Sequence, residues 1–70
     1  MNEFDIIIIE NEAYKVSEAW RRFGGSFIKG LGEALIHADV QNKMKIKTAW
    51  PEYWNEGLKQ FECIKNERFK

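Results

Sequence analysis

His37 and Glu33 stand four residues apart in "EALIH", the spacing at which a carboxylate and an imidazole meet on one helix face and can exchange a proton. The same spacing describes an ordinary surface pair, and that plainer reading is preferred. His37 is the only histidine and Cys63 the only cysteine, so neither a disulfide within the chain nor a zinc site of usual ligand spacing can be assembled. Cys63 falls on the outer side of a helix one turn after Lys59, with no histidine placed to activate it. The glycines of "GGSFIKGLG" suggest a phosphate loop, but that motif needs Lys-Ser/Thr after its last glycine, and Leu31 follows Gly30. The dinucleotide fingerprint fails on spacing and context. No catalytic residue, cofactor or metal is expected, and the chain is not read as an enzyme.

Binding chemistry has more to offer. "AWPEYW" at 49–54 holds two tryptophans, a tyrosine and the only proline. Tyr53 points about 100° away from Trp54 on a helix, so both cannot enter one core. Either Tyr53 packs under the N-terminal segment, the reading preferred here, or it lies exposed beside Glu52 as a contact residue. Eleven basic residues balance eleven acidic ones. That balance disfavours a dedicated nucleic-acid binder, which gains its affinity by neutralising phosphates. The charges are unevenly spread: Glu3, Asp5, Glu10, Glu12 and Glu18 face only Lys15 in the first twenty residues, whereas Lys43, Lys45 and Lys47 stand without an acid between 40 and 50. Two mutually attracting solvated faces are the simplest reading. The alternative function uses Arg21, Arg22, Lys43, Lys45 and Lys47 as nucleic-acid contacts, although Lys45 falls opposite Lys43 and Lys47 on a helix.

These side chains must be carried by a small all-α bundle of three or four short helices. Residues 10–70 are read as one helical domain. Residues 1–9 are either an arm or a backward extension of the first helix, with "ENE" at 10–12 favouring a break. Ala13, Val16, Trp20 and Phe23 share one helical face. Gly24 and Gly25 end that helix through a left-handed cap, and Ser26 caps the next. In the second helix Phe27, Leu31, Ala34, Leu35 and Ala38 form the apolar stripe. Ser26, Gly30, Ala34 and Ala38 make a row of small residues for close helix approach, which gives Gly30 and Gly32 a reason to be there. Asp39 caps a third helix. "KMKIKTAW" alternates like a strand, yet a lone strand would have no partner. A helix is chosen, with Asn42, Ile46, Ala49 and Trp50 on its face. Pro51 stops this helix and starts a fourth, whose inward stripe is Trp54, Leu58, Phe61 and Ile64, with Gly57 allowing close approach. The expected core is Trp20, Phe23, Phe27, Leu31, Leu35, Ile46, Trp50, Trp54, Leu58 and Phe61. Surplus apolar groups are Ile6–Ile9, Ile36, Tyr53 and Phe69.

Gly24, Gly25, Ser26 and Phe27, followed by Ala38, Asp39, Asn42, Lys45, Ile46, Ala49, Trp50, Pro51, Glu52, Tyr53 and Trp54, form a pattern that resembles a set of small phage, prophage and mobile-element proteins. It covers about half the chain and leaves out both ends. The resemblance implies a helical fold and a mobile-element origin, and no activity. The expectation is therefore a cytoplasmic interaction protein with no membrane segment. It would bind a host or phage protein, or a second copy of itself. Ile7, Ile36, Glu52 and Tyr53 are the candidate partner contacts.

Overall fold

The computed structural model describes residues 2–68, with side chains placed as far as residue 66; Phe69 lies outside the described residues. Four helices follow one another: α1 (Glu3–Phe23), α2 (Ser26–His37), α3 (Val40–Ala49) and α4 (Pro51–Arg68). The all-α expectation holds, and among the described residues there is no strand. None of these helices is long and apolar enough to cross a membrane.

The N-terminal residues are an extension and not an arm. Asn2 starts α1, its side-chain oxygen accepting from the Asp5 amide at 2.8 Å, and Glu3 and Asp5 occupy the first turn where the helix dipole favours acids. "ENE" does not break the helix, because the buried stripe of Ile9, Ala13, Val16 and Trp20 passes between the two glutamates. Both carboxylates are taken up by α3: Lys43 Nζ meets Glu10 Oε2 at 2.7 Å and Lys47 Nζ meets Glu12 Oε1 at 3.0 Å. The attraction read between the two charged segments is thus direct contact, with Lys43 buried and not solvated.

The turn between α1 and α2 corrects two expectations. Gly24 and Gly25 are both extended (φ −79° and −74°), not left-handed. Glycine is needed at 24 for space, since a Cβ there would stand 2.6 Å from the Trp20 carbonyl oxygen and 2.5 Å from Ile28 Cγ2. Gly25, not Ser26, is the N-cap, and Ser26 is already the first helical residue. The small-residue row is also corrected. Ser26, Gly30 and Ala34 are exposed, and a Cβ on Gly30 would meet nothing within 4 Å. The face of α2 that approaches α1 is that of Gly32 and Leu35, where a Gly32 Cβ would sit 3.2 Å from the Ser17 carbonyl oxygen and 3.2 Å from Trp20 Cβ.

Asp39 caps α3 as expected, accepting from the Asn42 amide at 2.8 Å. Lys43 is the buried residue of this helix, with Val40, Met44 and Ile46 packed partly against the core; Asn42 and Ala49, expected on the inner face, are exposed. At Pro51 the chain turns into α4, and Trp54, Gly57, Phe61 and Ile64 face inward with Leu58 half-buried. Trp20 and Trp54 meet edge to face, ring centroids 6.1 Å apart, at the centre of the core. Phe23 and Phe27 are the misplaced members of the expected core: both are exposed, because each lies beside the Gly24–Gly25 corner where the chain reverses. Trp50 is half-buried rather than interior.

Candidate functional site

The Trp20 indole organises one end of the bundle. Its Nε1 donates to the Tyr53 carbonyl at 3.0 Å, tying the last turns of α1 to the first turn of α4. Gly57 makes this possible, since a Cβ there would lie 3.0 Å from Trp20 Nε1 and 3.1 Å from Val16 Cγ1. With its backbone held this way, Tyr53 keeps its ring on the surface, 45 % exposed. The packed position preferred for Tyr53 from the sequence is thereby corrected. α1 runs the other way from this end, so no N-terminal segment is there to cover the ring.

Tyr53 stands between two shallow clefts. Ala49, Trp50, Pro51 and Glu52 line the first with it, around a volume of about 250 Å³. Phe23, Gly24, Ile28, Glu56 and Gln60 line the second with it, about 220 Å³, over the edge of Trp20. Phe27 extends the surface by stacking edge to face on Trp50 at 5.9 Å between centroids. Phe23, Phe27 and Tyr53 together give this end exposed aromatic area, and Glu52 and Glu56 give it negative charge at the rim. "GGSF" and "AWPEYW", which lie more than twenty residues apart in the chain, meet here.

The four expected partner contacts do not form one surface. Glu52 and Tyr53 are neighbours at this aromatic end. Ile36 lines a separate depression with Glu10, Tyr14, Leu35 and Lys43, while Ile7 stands exposed on the N-terminal half of α1. Sequence reasoning missed Phe23 and Phe27 as surface groups. The signal was their position on either side of a two-glycine corner, at the end of one helix and the start of the next.

The five residues of the nucleic-acid alternative are also dispersed. Lys43 and Lys47 are held by Glu10 and Glu12. Arg21 reaches Glu18 at 3.2 Å and Glu33 at 3.6 Å, and Arg22 lies over the Phe23 ring. Lys45 faces solvent. Glu33 therefore meets Arg21 across the α1–α2 contact, and His37 is exposed near the end of α2. Cys63 is exposed on α4. Among the described residues, no group of three or more His, Cys, Asp or Glu is placed to hold a metal ion.

One carboxylate is electrostatically tuned. Burial pushes the Glu12 carboxyl up, but hydrogen bonds from Trp54 Nε1 (2.9 Å) and Lys47 Nζ (3.0 Å), with the positive charges of Lys47 and Lys15, outweigh it and hold its pKa below the ordinary glutamate value. Each partner is structural, so Glu12 reads as a joint between α1, α3 and α4. Comparison with known protein families, curated proteins and solved structures finds no match to this chain.

Proposed function

We propose that this chain is a non-enzymatic interaction protein of phage or mobile-element origin, acting in the host cytoplasm through contact with another protein. The observation that supports this reading is the aromatic end around Tyr53, where exposed rings surround two open clefts. Large aromatic side chains are the usual anchors of protein interfaces, because they bury much area at little entropic cost, and charges such as Glu52 and Glu56 belong to the rim. The segments that resemble the small phage proteins supply most of this surface: Gly24 and Phe27 from one, Trp50, Pro51, Glu52 and Tyr53 from the other. The nucleic-acid alternative gains no support, since Lys43 and Lys47 already neutralise carboxylates of their own chain.

Affinity capture from host lysate with the tagged chain tests the reading, with Tyr53→Ala beside a Lys29→Ala control. The bond from Trp20 goes to the Tyr53 main chain, so the alanine variant is expected to keep it, with an unchanged circular dichroism spectrum as the check. A specific protein is expected on the native chain and on Lys29→Ala, and reduced at least tenfold on Tyr53→Ala. Equal retention by all three would overturn the assignment of the site. Nucleic acid as the captured material, lost steeply as salt rises, would overturn the class of partner.

A further inference from the structure

A second surface, independent of Tyr53, runs along the outer side of α1 and ends at Tyr14, whose ring also meets Phe61 of α4 edge to face at 6.0 Å between centroids. Phe4, Ile7, Asn11 and Tyr14 follow one another at spacings of three, four and three residues, and all four are exposed (Phe4 70 %, Ile7 58 %, Tyr14 55 %). That spacing is the a and d seam of a two-stranded coiled coil. The opposite face of the same helix carries Ile9, Ala13, Val16 and Trp20 into the core, so α1 has a second, partly apolar face that the bundle touches only at Tyr14. The monomer already holds α1 folded, so a seam of only two heptads need not meet the cost of helix nucleation.

We infer that the occupant of this seam is a second copy of the chain, packed parallel through α1. Three features choose this arrangement. Asn11 takes an a position at the middle of the seam, where a paired asparagine fixes parallel register and two-fold state at some cost in stability. Glu10 and Lys15 take the flanking g and e positions, so that in a parallel pair each Glu10 faces Lys15 of the second copy. An antiparallel pair would instead bring Glu10 against Glu10. Glu10 remains 45 % exposed while it holds Lys43, which leaves it open to a second cation. Ile8, 40 % exposed, occupies the other e position and widens the apolar strip. Beyond Tyr14 the next seam positions are Glu18 and Arg21, already bonded to each other, and the strip ends there.

So short a seam buries less than the roughly 800 Å² per partner of a standard interface, and the pair is correspondingly weak. Sedimentation equilibrium is expected to find monomer at roughly 5 µM and dimer at roughly 500 µM. Ile7→Glu adds a carboxylate in the second turn of an exposed helix face, where the dipole tolerates it, so circular dichroism should be unchanged while the dimer is lost. Lys15→Glu should weaken the parallel pair about tenfold by facing Glu10 with a like charge. Tyr53→Ala should leave self-association untouched, which separates this inference from the proposed partner site. A chain that stays monomeric throughout, or a dimer indifferent to Ile7→Glu, would overturn the inference. A dimer sensitive to Ile7→Glu but not to Lys15→Glu would overturn the parallel arrangement. Loss of a captured host protein on Ile7→Glu, with no dimer in the native chain, would assign the stripe to that protein instead.

Discussion

Where α4 meets α1 the contact is made of rings and glycine; where α3 meets it, amines and carboxylates take their place. Trp54 lies fully buried against Trp20, and Gly57 lets the Trp20 indole rest on the α4 backbone. Lys43 and Lys47 instead reach across to Glu10 and Glu12. The first contact depends mainly on shape, with one charge-linked bond, from the Trp54 indole to Glu12. The second depends on charge, with Lys47 and Glu12 about a third exposed, and the gain from such pairs is modest once solvent screening is counted. α3 is therefore the helix whose hold on α1 responds most to pH and salt, while Val40, Met44 and Ile46 keep it packed against the core. Glu12 links the two regimes, because its carboxylate accepts from both Lys47 and the Trp54 indole.

The largest way to break this comparison is at the packed contact. Trp54→Ala removes a buried ring and should cost about 3–5 kcal/mol, comparable with the whole stability of a domain this small. Urea titration followed at 222 nm should then show no cooperative transition. Trp50→Ala, on the half-buried side of Pro51, should keep a transition weakened by only about 1–2 kcal/mol. Equal losses would mean that the two tryptophans share the core after all.

Glu12→Gln sharpens the polar half. It keeps an acceptor for the Trp54 indole while removing the charge that Lys47 meets, and should cost about 1 kcal/mol at neutral pH. The folded pKa of Glu12 is depressed, so its stabilisation is fully present above the ordinary glutamate pKa and is lost as pH falls through the lower folded value. The native chain and Glu12→Gln should accordingly converge in stability below the ordinary carboxylate range. Parallel curves down to pH 2 would show that the carboxylate charge contributes nothing.

The smallest expected effect separates the glycines. Gly30→Ala enters open space in a helix and should stabilise by about 1 kcal/mol. Gly57→Ala carries the same propensity gain but presses a Cβ against the Trp20 ring, which its bond to Tyr53 holds in place, and should be neutral or destabilising. Thermal melts of the pair would distinguish a glycine required by packing from one that is not. A rise in melting temperature for both would remove the close-approach argument at Gly57.

The sequence by itself determined the helices and most of their ends. Asp39 as a cap, Pro51 as the start of α4, and the stripe of Trp54, Phe61 and Ile64 are local signals, written in residues that bond or clash with near neighbours. The alternation of "KMKIKTAW" leaves strand and helix both open locally, and the lack of a partner strand elsewhere in the chain is what favours the helix. What only the tertiary structure decided was which face of each helix turned inward. α2 presents Gly32 and Leu35 to α1 rather than its row of Ser26, Gly30 and Ala34, because the Trp20 and Ser17 side of α1 leaves room for a bare backbone there. Lys43 is buried although lysines are usually outside, because Glu10 waits across the contact more than thirty residues away. Phe23 and Phe27 stay largely in solvent because they meet the α3–α4 junction only at its rim, Phe23 beside Tyr53 and Phe27 against Trp50. Periodicity marks a face as apolar. Whether another element covers that face depends on contacts between distant residues, and these the linear pattern does not contain.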